Sequence, residues 1–287
     1  MESILKQNLF KFVADETAIE SIANGNVKFT RMSELNDPLE LFGKTDTKLM
    51  MESLEHYRKV GCNDEDLKNL TAQVYLLQKL TKNHKYRLSI VPKTPEEMNK
   101  ILKMQFLHNE QNIIELGKQY LAEIRAEMLK NTGVFCLSEK YNSLPMWAHY
   151  ANNAKGFVVE FQDLESCFKP DETDVLNRLL KVNYDYVPSV TFAPDSYKNT
   201  FFFKYKDWRY EKEFRVLKAL NDCNKTEPNL FLSQIPKEKI KRIIIGWNFE
   251  GDIQTLTNKI KAINPAIVIS QAEISYQHFE ISVRDIH

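Results

Sequence analysis

A long block of helical periodicity, set between two strand-rich parts of the chain, is the feature that most constrains the fold. Residues 46–85 and 95–131 repeat apolar side chains every three or four positions, and Pro92 and Pro95 interrupt the pattern between them. The flanking parts contain short β-branched or alternating runs. This order predicts an α+β fold, in which strands from both ends build the sheet and a helical insertion at about 46–131 separates them. We expect one domain over residues 1–287.

The N-terminal part predicts a strand, a short helix and a second strand. Residues 8–13 and 27–30 have strand character, and Gly25 ends the helix between them. Lys11 lies in the middle of the first strand. An Asx-Pro turn at residues 36–38 precedes the helical block.

The part after the block alternates strand-like runs with short helices. The predicted strands are residues 133–138, 156–161, 181–187, 210–217, 240–246, 266–270 and 280–283. The predicted helices are residues 145–151, 163–168, 173–180 and 252–263.

The strand predicted at Tyr210–Leu217 has an unusual face. Because side chains alternate along a strand, Glu211, Glu213 and Arg215 are expected on one side. A glutamate held on a rigid strand beside a fixed cation is a plausible catalytic group. A solvated sheet edge would give the same pattern.

The charge balance limits the classes of partner. The chain has 39 Lys and Arg against 39 Asp and Glu, which argues against a generally basic nucleic-acid binder. Residues 198–242 nevertheless contain twelve Lys and Arg against six Asp and Glu. Lys204, Lys206, Arg209 and Lys212 flank the predicted glutamate strand, and such a patch can attract nucleic acid. Lysines that protect a strand edge would look the same.

Several classes of site lack their sequence signatures. The four cysteines form no CxxC pair, and His149 has no HxxxH partner, so we predict no metal and no disulfide framework. Neither GxGxxG nor GxxxxGK[ST] occurs, which removes support for a Rossmann or P-loop nucleotide site. No signal-peptide core and no run of ~18 apolar residues is present, so we expect a cytoplasmic protein without a membrane partner.

Three groups of residues could support chemistry together. One is Lys11 with Arg31 and the 36–38 turn, a second is Trp147-Ala148-His149-Tyr150, and the third is the glutamate strand. Each alone has an ordinary explanation as an exposed lysine, a core aromatic pair or a solvated edge. An enzyme that acts on a dinucleotide without a Rossmann fold needs a cation for phosphate, an aromatic wall and a carboxylate at the ribose. The three groups offer these.

The same residues resemble a bacterial family known as a domain of unknown function. Its pattern has a Leu-Tyr-Lys-Tyr-like strand, a glycine-ended helix, a Phe-Asn-Asp-Pro-like turn, Met-Trp-x-His-Tyr, Gly-Phe, Trp-x-Tyr-Glu-x-Glu-x-Arg and Ile-Ile-x-Gly. The corresponding residues here are Leu9–Phe12, Gly25, Leu35–Pro38, Met146–Tyr150, Gly156-Phe157, Trp208–Arg215 and Ile243–Gly246.

More distantly, the layout resembles the ADP-ribosyltransferase superfamily. Those enzymes open with a strand that bears His or Arg, where Lys11 stands here, and a late strand carries the catalytic glutamate. Glu211-Lys212-Glu213 resembles the Glu/Gln-x-Glu pair of protein-directed members, and Glu213-Phe214-Arg215-Val216 resembles the x-x-Glu-Phe-x-Val strand of DNA-modifying toxins. A Ser-Thr-Ser motif is absent here. The resemblance implies an ADP-ribosyltransferase-like mixed β-sheet core.

The resemblance also implies a mono-ADP-ribosyltransferase with NAD as co-substrate and no metal. Glu213 would stabilise an oxocarbenium ion and hold the nicotinamide ribose, and Glu211 would orient or deprotonate the acceptor. The expected NAD-binding residues include Lys11 and Arg31 at the phosphates and Trp147 or Tyr150 against nicotinamide. His149 would make a polar contact with NAD, and Arg215 is also expected among the NAD-binding residues.

The implied biological role is that of a toxin or phage-defence effector, with an antitoxin or inhibitor protein as a further partner. The basic segment ranks RNA or single-stranded DNA ahead of protein as acceptor. The main alternative is a non-catalytic module that senses a nucleotide or a phage component on the same scaffold. A nuclease or other hydrolase is a third reading, disfavoured because no Asp/Glu/His cluster is evident.

Overall fold

A mixed sheet forms the centre of the fold in the computed structural model, which describes residues 7–80, 92–105, 110–169, 175–191, 196 and 198–286. The strands, in chain order, are β1 (Leu9–Val13), β2 (Asn26–Lys28), β3 (Thr30–Arg31), β4 (Thr132–Ser138), β5 (Phe157–Phe161), β6 (Leu179–Lys181), β7 (Glu213–Ala219), β8 (Asn224–Glu227), β9 (Leu230–Gln234), β10 (Ile240–Ile245), β11 (Val268–Ser275) and β12 (Glu280–Asp285). The main sheet has the order β12-β11-β10-β5-β1-β4-β7-β6, and β3 also pairs with β4. A smaller sheet has the order β2-β9-β8.

The helices confirm the predicted interruption of the sheet. They are α1 (Glu16–Ala23), α2 (Thr47–Val60), α3 (Asp64–Leu80), α4 (Pro95–Gln105), α5 (Glu110–Asn131), α6 (Leu144–Tyr150) and α7 (Ile253–Ile263). Helices α2 to α5 lie in sequence between β3 and β4, so the α+β class and the helical block are confirmed. Residues 81–85 and 106–109 of the predicted block lie outside the described residues.

The ends of α1 follow from local chemistry. The side chain of Asp15 accepts a hydrogen bond from the Ala18 N–H at 2.8 Å and caps the helix. After the helix, Gly25 has a φ of +89°, a left-handed conformation that favours glycine. A Cβ at this position would lie 2.6 Å from the carbonyl oxygen of Ile235. The glycine is therefore needed both for the turn and for the close approach of the Gly25 and Ile235 backbone segments.

The two faces of the main sheet are covered differently. On one face, Ile19 of α1 and Ile260 of α7 belong to one apolar core with strand residues such as Val159. On the other face there are two separate cores. One joins β4 and β7 to α3 and α5, and the other joins β1, β5 and β10 to α6. The second face is thus divided near the boundary between β1 and β4.

The strands β1 and β4 diverge at this boundary. They pair only at Phe10 and Ser138, whereas β3 pairs with β4 further along, at Val134 and Gly133. Between these two contacts the edges of β1 and β4 face a gap in the sheet. The divergence opens the space in which the candidate site lies.

The strand predicted at Tyr210–Leu217 begins later than expected. Residues Lys206–Glu211 form a 3-10 helix, Lys212 has a φ of +48°, and β7 begins at Glu213. The turn at Lys212 breaks the alternation, so the placement of Glu211 on the strand is wrong. From Glu213 onward the alternation is correct, because Phe214 and Val216 lie in the core on the opposite face from Arg215.

The prediction for residues 173–187 is also wrong in part. The strand there is β6, which includes two residues of the predicted helix at 173–180 and only Lys181 of the predicted strand at 181–187. Leu179 and Leu180 pair with Val216 and Arg215 of β7, and this pairing outweighs the helical spacing of the leucines. Residues 173 and 174 lie outside the described residues.

Candidate functional site

A cavity of about 260 Å³ lies at the divergence of β1 and β4. We call it the polar cavity, because its wall includes three carboxylates and two lysines. Three consecutive residues of β1, together with residues of β4, α6 and the segments around β3 and β7, form the wall. These residues are Phe10, Lys11, Phe12, Thr30, Glu34, Leu35, Asn36, Cys136, Leu137, Met146, Tyr150, Lys204, Glu211 and Glu213.

The inner end of the polar cavity is built on β7. Glu213 is 3% exposed and Arg215 is fully buried, and both point to the same face of the strand. The Nε of Arg215 lies 2.7 Å from Oε1 of Glu213, and its Nη2 lies 3.0 Å from Oε2. This two-point contact fixes the direction of the carboxylate, as guanidinium–carboxylate pairs do.

A second carboxylate completes the burial of Arg215. Glu40, which lies on the turn after Pro38, accepts hydrogen bonds from Nη1 at 2.7 Å and from Nη2 at 2.6 Å. The carbonyl of Phe201 accepts a third bond, at 3.2 Å. A buried guanidinium is tolerated only when such partners replace water, so Glu40 and Glu213 hold Arg215 between them.

Lys204 joins two of the three glutamates of the cavity wall, Glu211 and Glu213. Its ammonium group is 2.6 Å from Oε2 of Glu211 and 3.4 Å from Oε2 of Glu213. Only 4% of Lys204 is exposed, and its ammonium lies 4.8 Å from the centre of the Trp208 ring. The prediction that Lys204 belongs to an exposed basic patch is therefore wrong, because this lysine is buried among carboxylates. Arg209 of the same patch pairs with Asp185 at 2.7 Å.

Glu211 reaches the cavity from the 3-10 helix. Its Oε1 accepts a short hydrogen bond from the Tyr150 hydroxyl, which in turn accepts one from the side-chain amide of Asn36. The hydroxyl of Ser138 donates to the backbone carbonyl of Glu211 at 2.7 Å and ties this turn to β4. The turn, α6 and the 36–38 segment thus converge on one carboxylate.

The two glutamates have pKa values displaced in opposite directions. Burial alone would raise the pKa of Glu213, but Arg215 and Lys204 outweigh it and lower the pKa to about 2. Burial also raises the pKa of Glu211, and there Lys204 does not offset it fully. Glu211 is therefore the more easily protonated member of the pair.

The same balance between burial and neighbouring charges sets the pKa values of the other ionisable groups. Burial raises the pKa of Glu40 in spite of Arg215. Burial would lower the pKa of Lys204, but Glu213 and Glu211 raise it overall, so the ammonium stays charged. Burial, followed by the charge of Glu211, raises the pKa of Tyr150 well above its ordinary value.

Lys11 is the predicted cation that the structure brings to this cavity. It is half-buried, and its ammonium lies 5.6 Å from the centre of the Phe135 ring. Among the described residues, no carboxylate lies within ion-pair distance of Lys11. An unpaired cation in a cavity wall is available to an anionic ligand.

Arg31 is not brought to the cavity. Its guanidinium donates to the Lys130 carbonyl, lies 3.4 Å from Glu34 and stacks 5.2 Å from the ring centre of Phe231. These contacts tie β3 to α5 and to the small sheet. Only its partner Glu34 lines the cavity.

The Trp147-Ala148-His149-Tyr150 segment divides between core, surface and site. Trp147 is fully buried, donates from its indole nitrogen to the Tyr141 carbonyl at 2.6 Å and packs against Phe12, so it presents no face to a ligand. His149 is exposed, 6.2 Å from Tyr150 between ring centres, and does not line the cavity. Of the segment, Tyr150 alone lines the cavity.

Sequence reasoning missed two residues that organise the site. Lys204 counted only as surface charge, although its place in the Phe-Phe-Phe-Lys-Tyr run was a signal for a buried lysine. Glu40 gave no signal, because a single glutamate after an Asp-Pro turn is common on surfaces. Its pairing with Arg215 joins residues 175 positions apart.

Comparisons with known proteins find a match to part of the chain. A family model described as "Protein of unknown function (DUF2971)" matches residues 146–216, about a quarter of the chain. The matched stretch runs from α6 into β7 and contains Tyr150, Lys204, Glu211, Glu213 and Arg215. No curated protein and no solved structure matches the chain. A domain of unknown function is therefore present in this stretch, and the ADP-ribosyltransferase resemblance stays a prediction.

The described residues contain neither a candidate metal cluster nor a candidate membrane span. No group of three or more His, Cys, Asp or Glu side chains there is arranged to hold a metal ion. No helix among these residues is both long and apolar enough to span a bilayer.

Proposed function

We propose that the protein is a mono-ADP-ribosyltransferase that binds NAD in the polar cavity and transfers ADP-ribose to a macromolecule. The observation that supports this most is the buried pair Glu211 and Glu213, whose pKa values move apart. Such pairs commonly divide catalytic roles between two carboxyl groups. The resemblance of the sequence to ADP-ribosyltransferases supplies the reaction class.

In the proposed reaction, the bond between ribose C1′ and the nicotinamide nitrogen breaks, and nicotinamide leaves as a neutral molecule. The positive charge of the pyridinium ring passes to the ribose, which becomes oxocarbenium-like. A nucleophilic atom of the acceptor then bonds to C1′ and loses a proton. Glu213, ionised because of its lowered pKa, stabilises the positive ribose, and Glu211, the more basic carboxylate, takes the proton.

The charges around the cavity suit this reaction. In the buried cluster, Glu40, Glu211 and Glu213 face the two cations Lys204 and Arg215, so this cluster has one negative charge in excess when all are ionised. The half-buried Lys11 of the cavity wall pairs with none of these carboxylates. A developing positive charge on the ribose would balance this excess in the transition state and not in the ground state of the sugar. That difference is what accelerates a chemical step.

The dimensions of the cavity suit part of NAD. Its volume of about 260 Å³ is slightly below the ~300–1,000 Å³ typical of sites that enclose a whole ligand. We therefore place nicotinamide and its ribose inside, against Tyr150, and the phosphates near Lys11. We further propose RNA or single-stranded DNA ahead of protein as acceptor, and a role as toxin or phage-defence effector restrained by an antitoxin or inhibitor. These last proposals rest on the sequence alone.

A non-catalytic nucleotide-sensing module is the second candidate. The observation that favours it is that the carboxylate of Glu213 already has hydrogen-bond partners. Both of its oxygens accept hydrogen bonds from Arg215, and Lys204 lies nearby. A carboxylate so engaged could serve to hold the fold of a binding site. The two candidates share NAD binding and differ in the release of nicotinamide.

The test is transfer of label from NAD to cell lysate, with parallel protease and nuclease digestion. We expect the wild-type protein to transfer label, and the digestion that removes it identifies the acceptor. Glu213→Gln should reduce transfer by roughly 10²–10³-fold, the usual cost of removing a preorganised electrostatic group. Glu227→Gln, at an exposed position on β8, is the matched control and should retain full transfer.

Two outcomes separate the alternatives. Binding of NAD without transfer in any lysate would support the sensing module and contradict the enzyme. Full activity of Glu213→Gln would show that the assigned role of Glu213 is wrong.

A further inference from the structure

A second cavity, of about 230 Å³, lies between α5 and the segment of residues 41–45. It shares no lining residue with the polar cavity. We call it the apolar cavity, because most of its wall surface is apolar. The aliphatic wall residues include Leu41, Leu121, Ile124, Met128 and Val190.

The wall opposite α5 is held by backbone contacts. The N–H of Lys44 donates to the Pro188 carbonyl at 2.7 Å, and the N–H of Val190 donates to the Lys44 carbonyl at 2.9 Å. At Gly43, a Cβ would lie 2.6 Å from a methyl group of Val190, so the two segments are in direct contact. The cavity is therefore preformed by packing of the two segments.

Two cations line the apolar cavity, and no carboxylate does so among the described residues. They are Lys118 and Arg125, both on α5. The guanidinium of Arg125 stacks on the ring of Phe42, with 3.3 Å between its central carbon and the ring centre. One of its terminal nitrogens donates to the Glu40 carbonyl at 3.0 Å.

The Nε of Arg125 is buried and has no hydrogen-bond partner among the described residues. A buried N–H without an acceptor costs free energy, and this one is enclosed, so relieving that cost requires the guanidinium to turn toward an acceptor. Burial also lowers the pKa of Arg125, the direction expected for a cation whose charge is not compensated. An anion in the cavity would supply the missing charge, and it would supply the missing acceptor once the side chain turns toward it.

We propose that the apolar cavity binds a small molecule that has an aliphatic or aromatic body and one anionic group, such as a carboxylate. The body would cover the aliphatic wall, and the anion would pair with Arg125, since guanidinium is suited to carboxylates. The volume equals roughly eight water molecules at ~30 Å³ each, which is near the size of a medium-chain carboxylate. This proposal does not depend on the reaction proposed for the polar cavity.

The position of the apolar cavity gives the ligand a route to the other site. Arg125 contacts the backbone of Glu40, and the carboxylate of Glu40 holds Arg215 behind Glu213. A ligand that shifts Arg125 would therefore act on Glu40, which holds the Arg215 that fixes Glu213.

The test is calorimetric titration of the full chain with octanoate and with octylamine, which has the same chain length and the opposite charge. We expect saturable one-to-one binding of octanoate, and binding of octylamine at least tenfold weaker. No saturable binding of octanoate to the wild-type protein, or equal affinities for the two probes, would overturn the proposal.

Matched variants locate the binding. Ala122→Phe fills the cavity from an exposed position on α5 and should weaken the binding of octanoate at least tenfold. Ala126→Phe, one turn further along α5 and outside the wall, should leave the affinity for octanoate unchanged. Arg125→Met should weaken octanoate at least tenfold, and Lys130→Met, also on α5 but outside the wall, should not. Wild-type affinity in Ala122→Phe would contradict the location even if Arg125→Met fails to fold.

Discussion

The 3-10 helix that ends at Glu211 and the strand β7 that begins at Glu213 hold two carboxylates in contrasting environments. Each glutamate is 3% exposed, and each lies within reach of the same Lys204 ammonium. The strand also presents Arg215, whose register beside Glu213 is fixed by pairing with β4 and β6. The turn offers Glu211 a phenol, Tyr150, in place of a guanidinium. Against the effect of burial, Arg215, which Glu211 lacks, is the main cause that lowers the pKa of Glu213.

This contrast shows how a strand and a turn give two glutamates different protonation behaviour at one site. The strand supplies a carboxylate that stays ionised, and the turn supplies one that can exchange a proton. The role of each glutamate is set by its neighbours, because the two residues are chemically identical. Each variant below removes one of those neighbours or one of the two carboxylates.

The largest effect is expected for Arg215→Met. Removal of the guanidinium leaves Glu213 and Glu40 buried without their main partner, and broken buried ion pairs typically cost about 3–5 kcal/mol. We expect the free energy of unfolding, measured by urea denaturation, to fall by that amount. Arg284→Met, which breaks an exposed pair with Glu273, is the matched control and should cost less than about 1 kcal/mol. A loss in the free energy of unfolding as small as this for Arg215→Met would contradict the role of Arg215 in fixing Glu213.

The sequence predicted the strand half of this comparison better than the turn half. Alternation along β7 correctly put Glu213 and Arg215 on one face, because side-chain period is a local property. The turn at Lys212 was missed, since a lysine in a left-handed conformation has no sequence signal comparable to glycine. Glu40 and Lys204 were missed because their pairing depends on how distant segments pack.

The pH dependence of stability should differ in sign between the two glutamates. Glu213 has a folded pKa of about 2, below the ordinary value of 4.5, so its contribution is present above about pH 4.5 and is lost as the pH falls toward 2. Glu211 has a raised folded pKa, so its contribution is full below the ordinary value and is lost as the pH rises through the folded value.

Thermal unfolding of the Gln variants between pH 3 and pH 8 measures this difference. The deficit of Glu213→Gln relative to wild type should grow from pH 3 to about pH 5 and then stay level. The deficit of Glu211→Gln should instead shrink as the pH rises above about 4.5. Glu227→Gln, on the exposed strand β8, is the control substitution. Parallel curves for Glu211→Gln and Glu213→Gln would contradict the opposite environments.

The smallest effect is expected for Tyr150→Phe. This change removes the hydroxyl that donates to Glu211 and accepts from Asn36, at a typical cost of about 0.5–1.5 kcal/mol. In the proposed enzyme the same change should reduce transfer by about tenfold or less while leaving Glu213 in place. Tyr276→Phe, at an exposed hydroxyl far along the chain, is the control. A loss as large as that of Glu213→Gln would show that Tyr150, and not the carboxylate pair, dominates the site.

Calorimetric titration of the wild-type protein with NAD tests the central claim most directly. We predict one-to-one binding that Lys11→Met weakens about tenfold or more, because Lys11 lines the polar cavity and has no carboxylate partner among the described residues. Lys206→Met, at an exposed lysine outside the cavity wall, should bind NAD as the wild type does. Absence of NAD binding to the wild-type protein, or equal binding by Lys11→Met and wild type, would contradict the account.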